Sequence, residues 1–390
     1  MSEARLYRVA LPMRIGFDHP AAKRSTSDSL VLRLELDGLT GLGECAPRAY
    51  VTGETTDSVT EALRRVPMDG LFARLRALSA RDLLDRLHED GFARTFGIDG
   101  GNNLLCLLES AVLDLVGHQL GLSARQLIPG AAQEQAGGTA PLAVSQVLDL
   151  SIDVEEFLAT RGPFHFVKIK ASDDVERDAR TVTALRERLG AGVPIMVDAN
   201  MSWSAETAVR TVRRLQDCGM DHVEEPLAKR SWEGLRTLRR ETGVSVLLDE
   251  SVCGIDDLRT AIAAEACDAV NVRVAKNGGL LRSAELVEHA RASGLGFQVG
   301  VQVAETGPLI NAGRALAFAH PGALTVEAGQ SDRFFPQMIV TPAPAVDRRA
   351  NTIAPAEGTG FAMALHASAE RWAVLACSQE RADWHAVPAV

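Results

Sequence analysis

Eight short apolar runs, PLAVSQV, HFVKIKA, VPIMVD, MDHVEE, VSVLLD, CDAVNVRV, LGFQVGV and GALTVE, alternate with helical segments between about residues 140 and 328. Segments such as DVERDARTVTALRERLG and WSAETAVRTVRRLQDCG carry the apolar recurrence of amphipathic helices. Strand and helix in strict alternation specify a parallel sheet, because parallel neighbours need a crossover long enough to hold a helix. Eight such units make a (β/α)8 barrel of the TIM type the leading architecture.

The chain before this region has a different pattern. From Leu6 to about Gly43 it alternates as strands do, most clearly in SLVLRLELDG, where Leu30, Leu32, Leu34 and Leu36 share one face and Asp37-Gly38 makes a turn. Residues from about 56 to 130 read as helical and end in NNLLCLLESAVLDLVGHQLG, with Gly121 placed for a C-cap. Strands followed by helices without alternation mark an α+β unit. Beyond residue 336, TPAPAV and EGTGF suggest a segment that returns to this first unit. The expected class is therefore α/β: a barrel over residues 136–335, an N-terminal α+β capping domain over 1–135, and a C-terminal segment, 336–390, that completes the cap. A barrel of roughly 250 residues with a smaller domain accounts for the 390 residues. The tail from about 366, with Trp372 and Trp384, is expected to pack on a neighbouring copy or on the chain's own first domain.

Apolar residues at 46% and charged residues at 24% suit a soluble chain that buries a full core. The formal charge is 41 − 51 = −10 and the basic residues are scattered. Binding to nucleic acid or to anionic membranes is therefore not expected, and a small anionic substrate needs a local positive site. The start, MSEARLYRVALPMRIGF, breaks its apolar residues with Arg5, Arg8 and Arg14, unlike a secretion signal, and no stretch approaches the length of a membrane span. A cytoplasmic, homo-oligomeric protein is expected. The six cysteines contain no CxxC pair, which argues against a disulfide framework and against zinc.

Three of the runs end in a carboxylate: Asp198, Glu224 and Asp249. Their spacings are 224 − 198 = 26 and 249 − 224 = 25 residues. Residues at the carboxyl ends of successive parallel strands converge on one face of a barrel. Three converging carboxylates call for a cation, and a hard divalent ion accepts oxygen ligands while leaving places for substrate. Lys168 and Lys170 take alternate positions of the second run, so both point to one side, and neighbouring charge and burial are expected to lower a lysine pKa toward that of a base. Asn200 shares the phase of Asp198. Glu225 and Glu250 have the opposite phase to Glu224 and Asp249 and are expected behind the ligands or at helix caps. On the sixth run Asn271 and Arg273 share a face, while Lys276 has the other parity and is expected in the KNGG loop. Glu327 ends the eighth run and is placed to meet substrate or to serve an ordinary structural role. The chemistry these parts suit is removal of the proton α to a carboxylate, with the metal and an opposing cation stabilising the enediolate.

Lys168-x-Lys170, Asp198-x-Asn200, Glu224-Glu225-Pro226, Asp249-Glu250-Ser251 and NVRVAKNGG together resemble the enolase superfamily, in particular the muconate lactonizing enzyme subgroup. The resemblance covers nearly the whole chain, GLGECAPRAYVTGET included. It implies Mg²⁺ or Mn²⁺ on Asp198, Glu224 and Asp249, and Lys170 as base with Lys168 beside it. It also implies that the GEC segment and residues 16 to 28 close over a small carboxylate substrate. The subgroup usually has a lysine, a second base, where this chain has Arg273, and an arginine does not surrender its proton near neutral pH. Strand seven carries no histidine, so the base of the mandelate racemase subgroup has no counterpart. After strand eight, VEAGQSDRFF offers Asp332 but no Asp-x-Asp, the pair with which dipeptide epimerases of the subgroup hold a substrate ammonium. The expectation is a muconate cycloisomerase-like or o-succinylbenzoate synthase-like enzyme that resolves the enediolate by cycloisomerisation or β-elimination. An amino-acid or dipeptide epimerase is the alternative, and a catalytically silent ligand-binding barrel is the alternative of another class.

Overall fold

The computed structural model describes residues 2–19, 22–131 and 140–388. The boundary expected at 135–136 lies outside the described residues. The first sheet grows from a hairpin. Asp37 (φ 51°) and Gly38 (φ 90°) supply the two left-handed positions of a two-residue turn, which sets Leu36 opposite Leu39. Strands Ser29–Leu36 and Leu39–Cys45 pair antiparallel through it, and Ser2–Val9 joins on the other side of Ser29–Leu36. Leu30, Leu32, Leu34 and Leu36 are all buried. Helix Asn102–Leu120 lies against Leu39–Cys45 so closely that a Cβ on Gly43 would stand 2.0 Å from the carbonyl oxygen of Leu107. Only glycine fits there.

The tail enters this sheet. Ala373–Ser378 pairs antiparallel with Ser2–Val9, and His385–Ala386 pairs at its edge, giving five strands. Glu370 accepts hydrogen bonds from Arg5 (2.8 Å), Tyr7 (2.8 Å) and Arg33 (3.0 Å), and Trp384 is buried. Of the two placements expected for the tail, packing on the chain's own first domain is the one observed.

Seven parallel strands form the barrel wall in sequence order: Gln146–Leu148, Val167–Lys170, Ile195–Asp198, His222–Glu224, Ser245–Leu248, Ala269–Val272 and Gly296–Val299. The eighth run contributes only Val326. It forms a parallel bridge with Val299, and its carbonyl accepts from Ser145 N at 3.0 Å, so it joins the seventh strand to the first and closes the wall. It goes no further because Ala328 and Gly329 both take positive φ directly after Glu327 and turn the chain away. The first run also divides. Leu142–Ala143 pairs antiparallel with Thr352–Ile353, and only Gln146–Leu148 is barrel strand, because Val144 bonds to Asn351 while Ser145 bonds to Val326.

The helices between the strands are amphipathic. Ala205–Asp217, capped by Ser204, buries Ala208, Thr211, Val212 and Leu215. The two units meet at Glu44, whose carboxylate accepts from Thr306 N (2.6 Å), Thr306 Oγ1 (2.8 Å), Gly307 N (2.9 Å) and Leu309 N (3.1 Å). It thereby caps helix Pro308–Ala319 from the neighbouring sheet. Among the described residues no helix is long and apolar enough to cross a membrane, and all six cysteines are free.

Candidate active site

Lys170, Asp198 and Glu224 stand side by side because their strands run in register, Lys170 opposite Asp198 and Asp198 opposite Glu224. Glu224 faces Leu247 on the fifth strand, which puts Asp249 two residues further along the same wall. The three carboxylates are buried at 1%, 0% and 3% exposure, at the carboxyl ends of strands three, four and five. Lys168 and Lys170 come from strand two and Arg273 from the end of strand six, halfway round an eight-membered wall. All three line one cavity of about 340 Å³, together with Asp198 and Asp249.

Each carboxylate leans on a cation. Lys170 Nζ donates to Asp198 at 2.5 Å and to Asn200 Oδ1 at 3.0 Å. Lys168 Nζ donates to Glu224 at 2.9 Å, is ion-paired with Glu327, and lies 3.7 Å from Asp198. Arg273 grips Asp249 with Nε at 2.9 Å and with Nη2, and donates from Nη1 to Gln302 at 2.9 Å. Burial alone would lower both lysines, but it is outweighed. The carboxylates hold Lys168 well above the ordinary lysine range and Lys170 above it as well. The expectation of a lowered lysine pKa is thus reversed: in this arrangement both are ammonium groups, because three carboxylates outnumber the neighbouring like charge. Burial, then the repulsion of Asp198, pushes Glu224 up to about 8. Asp249 is held below the ordinary aspartate range. Burial opposes this, but the charges of Arg273 and Lys276 overcome it.

Two parity expectations fail at strand ends. Glu250 lines the cavity alongside Asp249, where it accepts from Asn200 Nδ2 at 3.2 Å, since the fifth strand stops at Leu248 and alternation lapses beyond it. Lys276 does not stay in its loop. It is fully buried and donates to the Asp249 carbonyl (2.7 Å), Asp249 Oδ1 (2.9 Å) and the Asn271 carbonyl (2.6 Å). It supports Asp249 from behind, while Arg273 is the residue that faces the cavity. Asn271 donates to Glu224 at 2.9 Å. Glu225 turns away at φ 38° and accepts from Asp249 N at 2.7 Å and from Ser251. Glu327 accepts from Val301 N at 2.8 Å as well as from Lys168.

Whether the site suits a divalent ion turns on its donors. Among the described residues no three acidic, histidine or cysteine side chains are already gathered as a ligand cluster, since the carboxylates are turned to their lysine and arginine partners. The donor chemistry nevertheless fits. Asp198, Glu224 and Asp249 are hard oxygen donors, buried and mutually repelling, and two acceptor atoms beside them, Glu250 Oε2 and Asn271 Oδ1, are buried with no partner. An ion held there would compete with Lys170 and Arg273 for the same oxygens.

Residues 149–367, more than half of the chain, match the family described as enolase C-terminal domain-like. The N-succinyl-L-Arg/Lys racemase of Bacillus cereus is 26% identical over 326 residues, 83% of this chain and 85% of that protein. The muconate lactonizing enzyme from Pseudomonas fluorescens, solved with muconolactone, shares the fold with a TM-score of 0.78 at 22% identity, covering 96% of this chain and 98% of that one. So does the dipeptide epimerase from Cytophaga hutchinsonii, solved with Mg and D-Ala-L-Val, with a TM-score of 0.76 at 21% identity over 94% of this chain and 96% of that one.

Proposed function

We propose that this chain, which belongs to the enolase superfamily in its muconate lactonizing enzyme subgroup, removes the proton α to the carboxylate of a small acid with Lys170 as the base. A divalent ion, Mg²⁺ or Mn²⁺, held by Asp198, Glu224 and Asp249 would supply Lewis acidity to the substrate carboxylate and draw off the negative charge that keeps Lys170 an ammonium. Lys170 Nζ takes the proton and Lys168, tied to Glu224 and Glu327, stays charged beside it. Arg273, on the opposite wall, remains protonated throughout and offers fixed positive charge to the enediolate. The observation that supports this reading is the arrangement of Lys170 and Arg273 on opposing walls of one cavity, with the carboxylates on the wall between them.

Two outcomes follow from that intermediate. With one base and a fixed cation, the geometry supports cycloisomerisation or β-elimination, because Arg273 stands where inversion would require a second proton donor. The relatives support the other outcome better. They are mostly racemases and epimerases, acting on N-succinyl amino acids or dipeptides, with a muconate cycloisomerase also among them. Deuterium wash-in from heavy water, read by NMR on a panel of carboxylic acids, N-acyl amino acids and dipeptides, separates the two. Deuterium at the α carbon with retained configuration, or loss of a β substituent, fits the single base. Inversion coupled to exchange overturns it in favour of an epimerase.

A further inference from the structure

An inverting reaction needs a proton donor on the far side of the enediolate from Lys170, and an arginine does not give up its proton. The loop after the seventh strand brings a different donor to the Arg273 side. Gln302, Ala304 and Glu305 of this loop line the cavity, with Ala304 in the left-handed region (φ 71°). Arg273 Nη1 donates to Gln302 Oε1 at 2.9 Å, and Gln302 N donates to Glu305 Oε1 at 2.7 Å. A single residue therefore links the Glu305 carboxyl to the guanidinium.

This carboxyl differs from the other buried ones around the cavity. Asp198, Asp249 and Glu327 are each ion-paired with lysine or arginine, and Glu250 is tied through Asn200 to Lys170. Among the described residues no cation is ion-paired with Glu305, and its Oε2 accepts no hydrogen bond. Three charged groups surround it. Glu44 of the first sheet sits over the next residues of the loop, Arg48 donates to the Val303 carbonyl at 2.7 Å, and Glu327 ends the eighth run. Burial, then the repulsion of Glu44, pushes Glu305 well above the ordinary glutamate range, although Gln302 N and Arg48 oppose the shift. A carboxyl kept neutral by its surroundings is a proton donor.

We propose that Glu305 is the acid on the Arg273 side of the cavity, protonating the α carbon on the face opposite the one Lys170 deprotonates, so that configuration there inverts. The electron pair of the new C–H bond comes from the enediolate, and the pair of the broken O–H bond stays on Glu305. Arg48 and Arg273 offset the carboxylate so formed. Lys170 then releases its proton to water, and Glu305 takes one back. The proposal rests on Lys170 as the α-proton base, and it supplies the inverting outcome with the donor that Arg273 does not provide.

Single stereoisomers of N-acyl amino acids and dipeptides, incubated with the Mg²⁺-loaded enzyme in heavy water, test it. Proton NMR reads exchange and chiral chromatography reads configuration. The parent is expected to convert at least one of them to the opposite configuration, with deuterium at the α carbon. Glu305→Gln keeps an acceptor for Gln302 N but has no acidic proton, so inversion should fall by about 10²-fold or more. Exchange with retained configuration should continue in that variant, which also shows that it is folded and that Lys170 works. Exchange with retention alone in the parent, inversion by Glu305→Gln at the parent rate, or equal loss of exchange and inversion in the variant overturns the proposal. Absence of exchange in the parent with every compound marks instead the failure of the α-proton reading, and the proposal falls with it.

Discussion

Replacing Arg273 by methionine separates the two roles its position combines. The guanidinium gives Asp249 two hydrogen bonds and Gln302 a third, and both ionic partners are almost fully buried. Breaking a buried pair usually costs about 3–5 kcal/mol because a charge is left uncompensated. Here the cost is smaller, about 2 kcal/mol, since Lys276 still donates to Asp249 Oδ1 at 2.9 Å. The same change frees Asp249 oxygens for the ion, so Mg²⁺ affinity is expected to rise. Catalysis moves the other way. Loss of a fixed charge aimed at a developing anion costs on the order of 10²–10³ in rate, about 2.7–4 kcal/mol. Arg273→Lys, which keeps the charge but not the fork, should cost about ten-fold. The assay is the initial rate of α-deuterium exchange on the acid of the panel that exchanges fastest, with Mg²⁺ affinity measured by titration on the same preparations. A methionine variant that exchanges at the parent rate, or that no longer binds Mg²⁺, would refute the assignment of Arg273 as an electrostatic partner competing with the ion.

Glu44→Ala leaves four donors at the start of helix Pro308–Ala319 without their acceptor. It should lower stability by about 3 kcal/mol in urea unfolding, and an unchanged midpoint would show that this carboxylate is not the staple between the two units. Glu109 is buried, which pushes it up to about 7 although Leu281 N donates to it. The folded chain therefore keeps a proton that the unfolded chain has already released, so stability falls as pH rises from the ordinary glutamate range to about 7 and stays reduced above it. Glu109→Gln removes that loss. Its melting temperature relative to the parent should increase between pH 5 and pH 8, and a difference independent of pH would contradict the burial argument.

The wall and its carboxylates were legible because parallel strands repeat at a fixed length and end on one face, which let Asp198, Glu224 and Asp249 be aligned by counting. Side-chain parity carried Lys168, Lys170, Asn271 and Arg273 to the cavity for the same reason. It stopped working where strands stop. Glu250 and Lys276 lie two and four residues beyond the last residue of their strands, where backbone direction depends on turn geometry that a two-residue period does not encode. The eighth strand was read at full length because GALTVE is apolar, yet positive φ at Ala328 and Gly329 leaves a single bridge. The direction of the lysine shifts depended on how many carboxylates end within reach of each ammonium, a distance that no spacing rule supplies. Glu44 could not be found at all from its own neighbourhood, since its partners, Thr306 to Leu309, are more than 260 residues away.

The claim on which the rest depends is that Lys170 takes a proton from the α carbon of an acid bound beside the three carboxylates. It is tested most directly by α-deuterium exchange in Lys170→Ala, with Mn²⁺ binding followed by electron paramagnetic resonance on the same samples. The account predicts one ion per chain in both proteins and a loss of exchange by about 10³ or more in the variant. Exchange that continues undiminished while the ion stays bound would contradict it.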